Sequence, residues 1–240
     1  YVFHLAARFA NELSVKDPME DLKVNTQGTL QVLLHSSKQN LKRFIYTSSS
    51  SLYGVQNTNL FKETLYPNPS TPYAASKLSA EHYCNAIGKL TGLKYTIVRL
   101  SNSYGPFDPP GQFRNVIPNF FDAAIHNKDI VITGTGKETR DFTFIDDIIL
   151  GTKSALEKNY KCEIFNLGNN NNEELMDLIK VLENELSKEA IVKFLPMQSG
   201  DVIETYANID KSIEKLNYNP KTSINDGIPT FINWYKKYYH

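Results

Sequence analysis

Short apolar runs alternate with helical apolar stripes along the whole chain. The runs predict strands at residues 1–7, 42–47, 94–100, 129–133 and 163–167. Apolar residues three or four positions apart predict helices that span 72–91 and 116–126 and others that begin at Pro18, Ile145, Leu175 and Asp226. Because strands and helices alternate at the spacing of βαβ units, the pattern predicts an α/β fold with a mostly parallel, doubly wound sheet.

The helical stripes also predict which residues are buried. In the helix that begins at Pro18 the stripe consists of Leu22, Thr26, Leu30, Leu33 and Leu34. In the helix that begins at Ile145 it consists of Ile145, Ile148, Ile149, Thr152, Ala155 and Leu156. In the last helix we expect a packing face of five aromatic residues: Phe231, Trp234, Tyr235, Tyr238 and Tyr239. Asp146 and Asp147 begin a helix, where carboxylates suit the helix dipole.

Composition narrows the class of protein. A chain of 240 residues can form one large domain or two interleaved ones. The 26 basic and 26 acidic side chains cancel, which gives no electrostatic case for binding nucleic acid or an anionic membrane. Cys84 and Cys162 lie far apart without CxxC spacing, so we expect neither a disulfide scaffold nor a cysteine zinc site, and a reducing, cytoplasmic location. No apolar run approaches the roughly 20 residues of a membrane helix.

The first residues are those of a strand interior. The chain begins at Tyr1, without a methionine, and continues directly into the apolar run. We therefore expect the natural protein to be longer at its N-terminus. We also expect the isolated 240-residue chain to expose an apolar sheet edge at residues 2–7.

The candidate chemistry lies at 47-TSSSSLYGV-55 and 71-TPYAASK-77. The serines follow a predicted strand, and ligands of open α/β sheets bind at the carboxyl ends of strands. Tyr73 and Lys77 are four residues apart, on one face of a helix that Thr71 caps and Gly92 ends. A tyrosine hydroxyl has a pKa of about 10, which a neighbouring ammonium and a cationic cofactor ring would lower. A serine, a tyrosine and a lysine together thus fit hydride-transfer chemistry at a nicotinamide.

The pair alone is weak evidence. With 14 tyrosines and 26 lysines and arginines, about one Tyr-x-x-x-Lys/Arg pair arises by chance. Tyr95 and Arg99 form such a pair inside a predicted strand. The position of Tyr73 behind a capped helix start, after a serine-bearing strand end, raises the case for a catalytic role.

Several motifs in register strengthen this interpretation: His4-Leu5-Ala6-Ala7, Asn25-x-x-Gly28-Thr29, Ser48-Ser49-Ser50-Ser51-Leu52-Tyr53-Gly54, Tyr73-x-x-x-Lys77, Arg99-x-x-Asn102-x-Tyr104-Gly105-Pro106, Arg140-Asp141-Phe142 and Gly200-Asp201-Val202. With these residues the chain resembles the extended short-chain dehydrogenases/reductases, in the branch of NAD-dependent nucleotide-sugar epimerases and dehydratases. The resemblance covers essentially all of the chain.

The resemblance implies a Rossmann-type domain and an interleaved, smaller substrate-binding domain. The first would comprise residues 1–107 and 128–165, without its N-terminal strands, and the second 108–127 and 166–240. It implies an NAD cofactor, a homodimer, and catalysis by Ser49, Tyr73 and Lys77. The implied NAD contacts are Leu5, Ala6, Ala7, Asn25, Thr47, Tyr73 and Lys77. The implied nucleotide-sugar contacts are Ser49, Ser50, Asn102, Asn115, Arg140 and Asp201.

The serines after Ser49 favour one reaction of this family. Family dehydratases carry an Asp-Glu pair where this chain has Ser50 and Ser51, and decarboxylases tend to carry a glutamate at the second position. Elimination would lack its acid here, so we expect 4-epimerisation through a 4-keto sugar, with Tyr73 as base. A dehydratase, decarboxylase or reductase on the same scaffold stays an alternative, as does a non-catalytic nucleotide-binding protein.

Other features refine the expectation. Residues 195–208 are similar to those of UDP-glucuronate 4-epimerases, which favours a UDP-hexuronate or UDP-hexose, although Gln198 stands where some epimerases have arginine. The family's Gly-rich pyrophosphate turn has no match in the chain, and we expect roughly 70 further residues to carry it. His4 lies in a predicted strand and is expected to be structural. No metal site is predicted, because His35, His82, His126 and His240 have no metal-ligand spacing.

Overall fold

The structure, a computed structural model, describes residues 1–58, 60–196, 204 and 206–239. Its strands in chain order are β1 (Val2–His4), β2 (Phe44–Ser49), β3 (Leu60–Phe61), β4 (Tyr95–Leu100), β5 (Ser103–Tyr104), β6 (Asp129–Thr133), β7 (Thr139–Arg140), β8 (Thr143–Phe144), β9 (Cys162–Leu167), β10 (Glu173–Glu174), β11 (Ile191–Leu195) and β12 (Tyr206–Ala207). Its α-helices are α1 (Asn11–Lys16), α2 (Pro18–Asp21), α3 (Thr29–Ser36), α4 (Pro72–Thr91), α5 (Val116–Ile125), α6 (Ile145–Glu157), α7 (Leu175–Leu186), α8 (Asp210–Leu216) and α9 (Ile224–Tyr239). A π-helix, Leu22–Gly28, joins α2 to α3, and a 3-10 helix, Ser50–Tyr53, follows β2.

Four strands form a parallel sheet in the order β1-β2-β4-β9. Successive side chains of a strand point to opposite faces, and both faces are buried here. Phe44, Tyr46 and Ile97 pack with α3 and α4 on one face, whereas Ile45 and Val98 pack with α6 and α8 on the other. Helices on both faces of a parallel sheet define the doubly wound α/β class, and this prediction is confirmed.

A second core lies beside the sheet. Its buried side chains come from α5, β6, α7 and α9, and Phe121, Ile130, Leu178 and Phe231 are among them. β6 pairs in parallel with β11, not with the central sheet. The strand at 129–133, which the sequence assigns to the cofactor part, therefore packs within the second core.

The predicted buried faces of two helices are wrong in part. Leu22 and Leu34 are 46% and 42% exposed, whereas Thr26 and Leu33 are buried. The π-helix between them inserts an extra residue and rotates the apolar face, which a constant period of 3.6 residues does not anticipate. In α6, Ile149 is 54% exposed.

The first and last elements also differ from prediction. Only residues 2–4 of the predicted strand at 1–7 pair with β2, and Phe3 is 46% exposed because β1 is the edge strand of the described sheet. In α9, Phe231 and Tyr235 are buried, but Tyr238 and Tyr239 lie near the chain end and are more than half exposed.

Asp147 does more than face the helix dipole. It is buried, and its carboxylate accepts the backbone N–H groups of Lys221 and Thr222 at 3.3 and 3.0 Å. It thereby fixes the loop between α8 and α9, whereas Asp146 is exposed. Both cysteines are free thiols, and within the described residues no helix has the length and apolarity to cross a membrane.

Candidate active site

The carboxyl edge of the central sheet is where β2, β4 and β9 end side by side. Their last residues, Ser49, Leu100 and Leu167, are neighbours in the strand register. Helix α4 packs on this sheet with its N-terminus at the same edge. The Thr71 hydroxyl caps the helix by accepting the N–H of Ala74 at 3.2 Å, and Gly92 ends it with a left-handed φ of 77°. The predicted limits 72–91 are confirmed.

Ser49 and Tyr73 meet at this edge. The Ser49 hydroxyl faces the Tyr73 phenol closely enough to act on the phenol pKa, in the lowering direction. The Ser49 hydroxyl oxygen also accepts the Ser51 hydroxyl at 2.9 Å and the Ser51 N–H at 3.2 Å. With two incoming hydrogens, Ser49 has its own proton free to donate to the phenol oxygen. The strand end and the helix start thus form one site.

Lys77 lies one turn after Tyr73 and is 4% exposed. Its ammonium donates to the carbonyl of Thr47 at 2.6 Å and lies 4.6 Å above the Tyr46 ring. Burial lowers the pKa of Lys77 to about 8, against the opposing charge of Glu81. The ammonium has three N–H donors, so two remain beyond the one that Thr47 accepts.

The protein groups alone do not lower the Tyr73 pKa. Burial of the phenol raises this pKa to about 12, and the Ser49 hydroxyl offsets only part of the effect. The charge of Asp21 raises it further. Tyr73 is therefore a weak acid whose phenolate would be a strong base.

The segment after β1 is held from two sides. The Thr47 hydroxyl donates to the carbonyl of His4 at 2.7 Å. The Asn25 amide accepts the N–H of Arg8 and donates to the carbonyl of the same residue, both at 2.8 Å. Between these anchors Leu5, Ala6 and Ala7 are exposed. His4 itself is buried, and its Nε2 lies 2.8 Å from the Thr29 hydroxyl, as expected of a structural histidine.

The predicted sugar-nucleotide residues are spread around the same edge. Asn102 donates to the carbonyl of Asp141 at 3.4 Å, and the exposed Asn115 donates to the carbonyl of Ser103 at 3.3 Å. Arg140 donates to the carbonyl of Thr139 at 2.8 Å. Ser50 is partly exposed in the 3-10 helix after Ser49. Asp201 and Gln198 lie outside the described residues.

Comparison with known proteins identifies the family. The model of the NAD dependent epimerase/dehydratase family matches residues 1–168. The chain belongs to this family. The resemblance inferred from the motifs is therefore confirmed.

Individual members of the family match nearly the whole of the chain. A UDP-glucuronate 4-epimerase of Thermodesulfobacterium geofontis is 35% identical over 98% of this chain and 72% of its own. A dTDP-D-glucose 4,6-dehydratase of Homo sapiens is 30% identical over 100% of this chain and 69% of its own. The crystal structure of UDP-glucuronic acid 4-epimerase from Bacillus cereus, in complex with UDP-glucuronic acid and NAD, is 33% identical, with a TM-score of 0.92 over 99% of this chain and 76% of that one.

The residues at the carboxyl edge of the sheet fit the nicotinamide half of NAD. Lys77 has two N–H donors besides the one that Thr47 accepts, a number that would suit the two hydroxyl groups of a ribose, and it lies one helical turn from Tyr73. The exposed Ala6 and Ala7 have only methyl side chains, so a flat ring can approach the backbone after β1. Among the described residues no group of three or more His, Cys, Asp and Glu side chains is arranged to hold a metal ion.

The buried ion pair between Arg99 and Glu81 is not predicted from the sequence. Arg99, set aside as a chance companion of Tyr95, donates to both Glu81 oxygens at 3.0 and 2.7 Å and to the Tyr53 hydroxyl at 2.9 Å. Burial acts to lower the pKa of Arg99, but Glu81 outweighs it and the pKa is raised. No local spacing signals this pair, because Glu81 lies on α4 and Arg99 on β4.

The sequence motif that contains Asp141 does not predict the role of its carboxylate. It is 1% exposed, and its carboxylate accepts the N–H of Asn169 at 2.6 Å and that of Ala207 at 3.3 Å. Burial raises its pKa to about 6, while these hydrogen bonds act in the opposite direction. Asp141, which directly follows Arg140, thereby connects this part of the chain to the segments that contain Asn169 and Ala207.

Proposed function

We propose that this protein catalyses the NAD-dependent 4-epimerisation of a nucleotide-diphosphate sugar, most consistent with a UDP-hexuronate or UDP-hexose. The observation that carries the proposal is the position of Ser49, at the end of β2, and of Tyr73, at the start of α4, on one edge of the sheet, with Lys77 buried one helical turn away. The family membership and the relatives at 33–35% identity support the same reaction.

Each of the three side chains has a role in the proposed mechanism. Tyr73, as phenolate, takes the proton of the sugar O4 and later returns it. Ser49 donates to the same oxygen and steadies it, because Ser51 occupies the acceptor side of its hydroxyl. Lys77 holds its charge beside the phenolate and offers two N–H donors to ribose hydroxyls. Bound NAD would supply the acceptor, and then the donor, of the C4 hydride.

Inversion at C4 requires the 4-keto sugar to present its other face. The nucleotide must be held firmly while the hexose turns. We infer that Arg140 binds the diphosphate, since a guanidinium matches phosphate geometry, and that Asn102, Asn115 and Asp201 contribute further polar contacts. The absence of a carboxyl group at Ser50 and Ser51 leaves elimination without its acid.

We further infer the organisation of the chain. The proposed cofactor-binding part comprises residues 1–107 and 128–165, and the proposed substrate-binding part 108–127 and 166–240. The packing of β6 in the second core favours moving residues 128–133 to the substrate-binding part. The two free thiols are consistent with a reducing, cytoplasmic location.

A homodimer through the helices around α4 is also proposed. A surface groove of about 520 Å³ lies there, lined by Met19, Leu22, Leu30 and Tyr83 among others. Met19 and Leu22 are 71% and 46% exposed, which an isologous contact would bury. Light scattering of the purified protein tests this: a monomer at all concentrations would contradict it.

The function is tested with UDP-glucuronate, UDP-glucose and UDP-N-acetylglucosamine. Each is incubated with the full-length protein and NAD and followed by proton NMR. We expect one of them to be converted to its C4 epimer, and Tyr73→Phe to lower the rate by at least about 10²-fold. Tyr66→Phe, the same change at a phenol that is 88% exposed, is the matched control and should leave the rate unchanged.

The second candidate is a 4,6-dehydratase, favoured by the relative of that name at 30% identity. A 4-keto-6-deoxy product in the same spectra would support it and contradict epimerisation. If no sugar changes while the nucleotides still bind, the non-catalytic alternative stands.

A further inference from the structure

The buried carboxylate of Asp21 has no assigned role. Asp21 ends α2 and is 1% exposed. One oxygen accepts the side-chain N–H of Asn25 at 2.9 Å. The other, Oδ2, is buried and has no hydrogen-bond partner among the described residues. A buried carboxylate without a full set of partners is costly to the fold, so a purpose elsewhere is expected.

The surroundings of Asp21 connect it to the active site. The helices around it pack on α4, where the Thr26 hydroxyl donates to the carbonyl of Ser76 at 3.2 Å. Ser76 lies between Tyr73 and Lys77 on that helix. The charge of Asp21 acts on both of these side chains and raises both pKa values.

Other charged groups near this cluster are already accounted for. Glu81, one turn beyond Lys77, is bound by Arg99 on both oxygens. His4, on β1, has its pKa lowered, first by burial and second by the charge of Lys77, so it is the neutral neighbour. Asp21 is the carboxylate near Lys77 that no basic side chain of the described residues binds.

We propose that Asp21 is a positioning residue of the active site, whose carboxylate fixes the Asn25 amide and supplies a negative charge to the Tyr73–Lys77 pair. The bond to Asn25 leaves that amide oriented for its two hydrogen bonds with the Arg8 backbone. The charge of Asp21 adds to the larger effect of Glu81 in favouring the ammonium form of Lys77, and it makes the Tyr73 phenolate a stronger base for the sugar hydroxyl. The role in turnover rests on the proposed function, but the electrostatic effect does not.

The test separates charge from shape. Asp21→Asn keeps an oxygen for Asn25 and removes only the charge. Tyrosine labelled with carbon-13 at Cζ reports each phenol's titration by NMR, and Tyr73→Phe assigns the Tyr73 signal. We expect the Tyr73 pKa to fall by on the order of one unit in Asp21→Asn. Asp17→Asn, at the exposed start of the same helix, keeps the helix cap and should leave it unchanged.

Turnover supplies the second measurement. If epimerisation occurs, the pH profile of kcat should shift toward acid by the same amount in Asp21→Asn, with KM little changed. A folded variant with an unchanged Tyr73 pKa overturns the inference, whether or not the protein is an epimerase. A shifted pKa without any epimerase activity upholds it and refutes the proposed function instead.

A smaller neutral residue guards against a folding defect. Asp21→Ser removes the charge and leaves room for water beside Asn25. Thermal unfolding identifies which variants are folded, and the same shift is expected in each of them. If neither variant folds, the carboxylate maintains the fold and the inference is wrong.

Discussion

Replacing Glu81 by glutamine isolates the contribution of the buried ion pair. Arg99 and Glu81 are each 4% exposed, and the guanidinium donates to both carboxylate oxygens. Glutamine keeps the size and one acceptor oxygen but leaves the arginine charge uncompensated in the interior. Loss of one partner of a buried pair destabilises a fold by about 3–5 kcal/mol.

This loss of stability corresponds to a lower unfolding temperature. For a chain of this size about 1 kcal/mol corresponds to 2–4 °C. We therefore expect Glu81→Gln to lower the Tm by roughly 6–20 °C. Urea unfolding, followed by both circular dichroism and the fluorescence of the single tryptophan, Trp234, gives the free energy and tests whether the transition is two-state.

Glu157→Gln is the matched control. Glu157 pairs with Lys153 at 3.8 Å, and both side chains are more than 60% exposed. An exposed pair at this helical spacing contributes only about 0.3–0.5 kcal/mol. If Glu81→Gln destabilises the protein no more than Glu157→Gln does, the ion pair does not hold α4 to the sheet and the reasoning is refuted.

Two further predictions concern Asp141 and Gly54. Burial raises the Asp141 pKa to about 6, so the folded state binds its proton more tightly than the unfolded chain. Its contribution to stability is therefore greatest at low pH and falls by about 3 kcal/mol in total as the pH rises, of which about 2 kcal/mol is lost between about pH 4 and 6. Asp141→Asn should flatten this part of the curve in urea unfolding, and equal slopes would contradict the prediction. Gly54 has a φ of 60°, and a Cβ there would collide with the Asn68 carbonyl, so Gly54→Ala should destabilise the fold by about 2 kcal/mol or more. Gly92→Ala, at a φ of 77° with open space around it, should cost about 1 kcal/mol, and equal losses would disprove the collision.

The parts of the structure that the sequence predicts are those governed by local rules. Thr71, Pro72 and Gly92 carry the capping and termination signals of α4, and the helix begins and ends where they place it. The serine run and Tyr73 lie together because β2 ends, and α4 begins, at the carboxyl edge of the sheet, which also follows from the alternation of strands and helices.

The rest depends on contacts between distant segments. Asp21 shows no periodicity or motif that distinguishes it from a solvated helix acid, and its burial follows only from the packing of α2 and the π-helix against α4. The apolar pattern at 129–133 predicts a strand but not its partner. That partner is β11, about 60 residues later in the chain, where Asp129 pairs with Ile191. The raised Tyr73 pKa likewise reflects burial, which side-chain spacing does not reveal.

Asn25 gives the segment after β1 an unusual support. Its amide exchanges two hydrogen bonds with the peptide of Arg8, as a paired residue in a neighbouring strand would. A whole strand in that place would bring further side chains over Ala6 and Ala7. One side chain therefore pairs with this segment as a neighbouring strand would, while Ala6 and Ala7 stay exposed.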